Sequence, residues 1–343
     1  MLRSRPSQIA FLVILIAAIS CVGLSGLTAR AKPSPTSGYL VIANQGDHTL
    51  VVYDLFRRLT LSATTVGVNG HELAVSSDGH TAYVPIYSNV GIGNPGTNGR
   101  TVDIVNLRQG KLVGSIDLGM PVRPHCAKFA PDGLLYVSAE LDNSIYIVDV
   151  KARKVVGKIP TGQHGSHMFA FSPDFRRIYT ANVLDGSVSV LDVPNRSLVT
   201  TIPVSKTVQR ISVSPNGRWV FTHDQTEPRV AVIDADLNSI ARWITLPSVA
   251  YSSEPLPDGS ALYIDSETSP DIYVTDTGFT KVVSTIKLSN PVGETWMNPA
   301  GTRAYSTSPA QGVVEIVDVK SAKAEPPIQL KPGVDGIVWI PSL

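Results

Sequence analysis

From Tyr39 to the C-terminus, apolar and polar residues alternate in short runs broken by turn residues, and no stretch keeps the spacing of an amphipathic helix. The runs come in sets. One set reads HMFAFS from His167, RIYTAN from Arg177, SVSVLD from Ser187 and SLVTTIPV from Ser197. The connecting turns are PDFR, VLDG and VPNR. Each run predicts a β-strand, and the Pro-Asp and Asp-Gly turns supply the backbone geometry that joins antiparallel neighbours. The predicted unit is four short strands.

The unit repeats. Runs ending in Asp or Asn recur at Asp54, Asn106, Asp149, Asp192, Asp234, Asp276 and Asp318, with successive spacings of 52, 43, 43, 42, 42 and 42. A second ladder follows the first turn: Ser77, Pro131, Pro173, Pro215, Pro257, Pro299 and Pro341, spaced by 54 and then always by 42. The Asp and Asn residues are expected to cap the turn that follows them. Four strands every 42 residues predict a blade, and seven repeats predict an all-β, seven-bladed β-propeller. The final run, GIVWIPSL, is a lone first strand, while YLVIAN, TLVVYD and LTLSATTV near the N-terminus lack one. The ring is therefore expected to close by pairing the two ends of the chain in one blade.

The segments IYTANVLDGSVSVLDVPNRSLVTTIPV and LYVSAELDNSIYIVDVKARKVVGKIPTG resemble the YVTN-repeat β-propellers, exported or surface-located bacterial and archaeal proteins. The resemblance covers roughly residues 38–343. Its wider relatives include cytochrome d1-type and lactonase-like propellers.

Residues 1–31 read as a signal peptide or N-terminal membrane anchor, 32–37 as a linker and 38–343 as the propeller. Arg3 and Arg5 precede an uncharged run of 12 residues, IAFLVILIAAIS. Cleavage after Ala31, lipidation at Cys21 and retention of an uncut anchor are the three outcomes. The favoured one is cleavage with a periplasmic or cell-surface location. The membrane is then touched only through the N-terminus. Once the leader is gone Cys126 has no partner, so no internal disulfide is expected.

Composition narrows the function classes. A formal net charge of +1 without runs of one sign gives no basis for nucleic-acid binding. There is no Gly-x-Ser-x-Gly elbow, P-loop, dinucleotide fingerprint or Cys-x-x-Cys-His haem attachment. A monomer is expected.

Candidate chemistry comes from position. Six residues before each anchor of the second ladder stand His71, His125, His167, Gln209, Tyr251, Gly293 and Asp335. This is where the innermost strand of each blade begins, at one mouth of the central channel. Three readings are open. The histidines are hydrogen-bonding residues at strand starts; the family resemblance implies this, because YVTN repeats commonly carry Pro-His-Gly there and RPHC is similar. They are ligands of a transition metal (copper, zinc or iron) or a haem, with His71, His125 and His167 as the ligand set. Or they belong to an organic-ligand or acid–base site with Glu72, Arg210 or Asp335. Glu72, Cys126 and Glu294 follow the position by one residue, and strand alternation would point them away from it. The insertion YSNVGIGNPGTNGR, residues 87–100, is expected on the same face beside His71 and His125. The composite expectation is a binding module for an unknown protein or small-molecule partner at this mouth. A metal- or haem-dependent oxidoreductase, or a lactonase-like hydrolase with its site there, is the alternative.

Overall fold

The computed structural model describes residues 37–343; the leader, its processing sites and Cys21 lie outside them. Seven four-stranded antiparallel sheets form the blades of a ring. Blade 4 runs Ser166–Phe171, Arg177–Asn182, Ser187–Asp192 and Ser197–Pro203, the strands read from the sequence to within a residue or two. The ring closes as expected. Val334–Ile340 is the innermost strand of blade 1 and pairs with Tyr39–Asn44, which is followed outward by Thr49–Asp54 and Leu59–Thr65.

Burial follows from this arrangement. The second and third strands of a blade are covered on both faces by neighbouring blades, so Arg177–Asn182 and Ser187–Asp192 are buried almost throughout. The outermost strands, such as Ser197–Pro203, bury chiefly one residue, here Ile202. The core is a chain of apolar seams between blades. At the closing seam Leu40, Ile42, Ile337 and Trp339 of blade 1 meet Tyr305, Val314 and Ile316 of blade 7. Each such buried side chain contributes about 1.5–3 kcal/mol.

The seven Asp and Asn residues of the first ladder act as turn caps. Asp54 accepts the Arg57 amide at 2.8 Å, Asn106 that of Gln109 at 2.9 Å, and Asp192 that of Asn195 at 2.9 Å. Asp149, Asp234, Asp276 and Asp318 do the same in their own turns. They are structural residues.

The insertion in blade 2 is less of a loop than the sequence suggests. Its ends prolong the ladder, with strands Thr81–Ser88 and Asn98–Asn106, and only residues 89–97 remain irregular. Backbone pairing at Ser88 with Asn98 extends the hairpin above its neighbours.

Candidate functional site

Every innermost strand begins with the same irregularity. In blade 3 Pro124 faces Ala139 but Ala127 faces Val137, so the register slips by one. Blades 1, 2, 4 and 5 slip at the matching place. In blade 6 Tyr251 donates to the Asp265 carbonyl while the Asp265 amide donates to Ser252. In blade 7 Gly293 and Glu294 likewise share Thr307. These are β-bulges, two residues opposing one, and a bulge re-aims side chains.

The bulge corrects one expectation. Strict alternation would turn Glu72 and Glu294 away from the histidines; instead both join the mouth. Cys126 alone of the three packs elsewhere, in an apolar seam with Tyr136 and Met168, where burial pushes its thiol up to about 11.

His71, His125 and His167 lie side by side. The His71 and His125 rings stack with centroids 4.2 Å apart, and His125 and His167 are 3.5 Å apart with a 38° tilt. A carboxylate faces Nδ1 of each ring: Asp335 at 2.9 Å from His71, Glu72 at 2.9 Å from His125, and Glu140 at 3.1 Å from His167. Gln45 Nε2 donates to Asp335 at 2.6 Å, and Gln209 lies 3.3 Å from Nε2 of His167. Tyr87 sets its ring edge-on to all three imidazoles, at 4.8, 5.1 and 6.0 Å, and its hydroxyl donates to Glu140 at 2.7 Å.

Arg210 reaches across the channel from blade 5. It donates to Glu72 and, at 3.1 Å, to the Tyr251 hydroxyl, and it lies 3.8 Å from Glu294. Burial alone would raise the Glu72 carboxyl, but Arg210 and then His125 outweigh it and hold it well below the usual carboxylate range. Burial, reinforced by the Glu72 charge against the pull of Arg210, holds Glu294 well above that range. Burial also pulls His125 far down and His167 down, leaving both imidazoles neutral near pH 7.

Two buried polar atoms stand out. Glu72 Oε2 and His125 Nδ1 are 2.9 Å apart, yet neither has an aligned hydrogen-bond partner. The donor atoms of His71, Glu72 and His125 all fall within 4.8 Å of one another. A group accepting electron pairs from both atoms, as a metal ion does, would suit this poorly aligned pair.

Thus His71, His125, His167, Glu72, Arg210, Glu294 and Asp335 come together at one mouth, from blades 1, 2, 3, 4, 5 and 7. His164 is exposed and pairs with Asp185 at 3.1 Å, and His223 is buried within blade 5, where burial lowers it to about 3. Sequence reasoning missed Glu140 and Gln45 as contributors, and it placed Tyr87 beside His71 and His125 only as the first residue of the insertion. Glu140 did carry a signal, an acid directly after the apolar strand Leu135–Ala139. The insertion reaches the site through Arg123, whose guanidinium donates to Asn98 Oδ1 and the Asn94 carbonyl, each at 2.6 Å. A cavity of about 440 Å³ under it is lined by Asn94, Arg123, Glu140, His164 and Leu184.

No family model matches the chain, and no curated protein matches it. Solved structures do. One is a functionally unknown protein from Desulfotomaculum acetoxidans, at TM-score 0.73 and 14% identity, covering 88% of this chain and 99% of that one. Another is the dihydro-heme d1 dehydrogenase NirN in complex with DHE, at TM-score 0.66 and 14% identity, covering 90% of this chain and 76% of that one. At such identities the likeness is one of fold, and with the seven sheets above it makes this chain a β-propeller of seven blades.

Proposed function

We propose that this chain is an exported propeller of the YVTN-repeat type that binds a transition-metal ion at the histidine mouth, through His71, Glu72 and His125. The observation that carries this reading is the largely buried cluster of His71, Glu72 and His125, whose donor atoms all lie within 4.8 Å of one another. Two imidazoles and one carboxylate suit zinc, copper or iron. Such an ion would supply Lewis acidity at the mouth. His167, in the ligand set expected from sequence, has Nδ1 on Glu140 and Nε2 beside Gln209, so it serves as a positioning residue stacked on His125. Asp335 orients His71 in the manner of a carboxylate supporting a metal-bound imidazole. A haem fits poorly. The NirN structure carries DHE on a similar fold, but His125 and His167 are only 2% and 3% exposed here, which leaves their ring nitrogens little room to meet a macrocycle.

The test is elemental analysis of untagged protein equilibrated with zinc, copper or iron salts. One ion per chain is expected. His71→Ala, Glu72→Gln and His125→Ala should each cut occupancy at least ~10-fold, with a smaller loss in His167→Ala. Protein that takes up no metal, or variants that keep it in full, would overturn the reading.

A further inference from the structure

The opposite end of the channel holds a second cavity, of about 350 Å³, formed where the innermost strands of blades 3 to 6 end. Its volume is at the small end of ligand pockets. Phe129, Phe171, Phe175 and Pro255 give it an apolar wall. Two charged side chains also line it, Lys128 from blade 3 and Glu254 from blade 6. Among the described residues neither forms a hydrogen bond or an ion pair, although each feels the other's charge. Opposite charges thus stand on separate walls of one pocket, too far apart to neutralise each other directly. Both side chains are half-buried, so each charge is open to the pocket and to whatever enters it.

A second observation comes from the turn that carries Phe175. In five blades the matching position is glycine in the left-handed region: Gly79, Gly133, Gly217, Gly259 and Gly301. Blade 4 places Phe175 there at φ 58°. A bulky residue in that region is strained by about 1–3 kcal/mol, as it is at Phe279 and other non-glycine turn positions among the described residues. The Phe175 ring packs on Phe171 at 5.1 Å and completes the apolar wall.

We propose that this far mouth is a binding site for a small zwitterion with an apolar body, an α-amino acid with an aliphatic or aromatic side chain. Its carboxylate would meet Lys128, its ammonium would meet Glu254, and its side chain would lie on the three phenylalanines. Burial raises Glu254 to about 7, a carboxyl whose ionised form a cationic partner would favour. The site is separate from the histidine mouth and does not depend on a metal there.

Calorimetric titration of the full-length protein with L-leucine, L-methionine and L-phenylalanine tests this. At least one should bind one-to-one. 4-Methylpentanoate and 3-methylbutylamine, which each lack one charge of leucine, should bind at least ~10-fold more weakly. Lys128→Met and Glu254→Gln should each weaken the amino acid at least ~10-fold. Phe175→Gly should weaken it while leaving the melting temperature nearly unchanged, because relief of backbone strain offsets the lost ring contact. Silence from all three amino acids, equal binding of the singly charged analogues, or full affinity in folded Lys128→Met would each overturn the proposal.

Discussion

At the histidine end of the channel, charge is held in a chain of contacts: Asp335 on His71, Glu72 on His125 and Arg210, Glu140 on His167 and Tyr87. At the other end of the same strands, Lys128 and Glu254 face each other across a cavity with no such contacts. One backbone repeated seven times makes both ends, so the difference lies in side chains and in one local irregularity. The bulges let a second consecutive residue reach the first mouth in some blades, which adds Glu72, Arg210 and Glu294 to the polar groups there. The second mouth's lining is mostly apolar, with Lys128, Ser212 and Glu254 as its polar side chains.

The largest expected effect removes both ends together. Deleting residues 334–343 strips blade 1 of its innermost strand and opens the seam with blade 7. We expect loss of the cooperative unfolding transition, followed by circular dichroism on heating. A chain that still melts cooperatively would contradict the closure described here.

Next is the pair at the first mouth. Glu72→Ala leaves Arg210, 3% exposed, as a buried cation without its main partner. Breaking such a pair costs about 3–5 kcal/mol, measurable as a lower urea midpoint. Glu254→Ala at the second mouth breaks no pair and should cost far less, and equal losses would erase the contrast between the ends.

The two ends should also respond oppositely to pH. His125 and His167 sit below the ordinary 6.5 because of burial. As pH falls past that value the unfolded chain takes up protons first, so their contribution is full above 6.5 and is lost on acidification. Glu254 sits at about 7, above its ordinary 4.5, chiefly through burial. Its contribution is full below 4.5 and is lost as pH rises through about 7. Glu254→Gln should therefore flatten a decline in stability over that window, by on the order of 2 kcal/mol. Urea titrations at several pH values check the sign, and a steeper decline in the variant would refute it.

Much of this was legible from residues alone, and the particulars show why. The Asp and Asn ladder repeats because every turn needs the same cap, so the blade count and the ring closure followed from spacing. Counting back from the turn anchors found His71, His125 and His167 together because the repeat is nearly constant in length. The partnership of Glu72 with Arg210 was hidden, because a bulge leaves no mark in an alternation pattern and the two residues are 138 apart in sequence. The bond of Tyr87 to Glu140 was hidden for a similar reason, since their meeting depends on how adjacent blades are set against each other. In hindsight, three charged residues, Glu72, Arg210 and Glu294, one place after the histidine position were a signal that the strand does not alternate there.

The seven bulges have an evolutionary consequence. Each leaves two side chains outside the hydrogen-bonded ladder, so residues there can be exchanged without disturbing strand pairing. A lineage built on this scaffold could rewrite the chemistry of its channel entrance one blade at a time while its architecture stayed fixed. The present run of His, His, His, Gln, Tyr, Gly and Asp around the entrance would then be one spelling among many that the same backbone can carry.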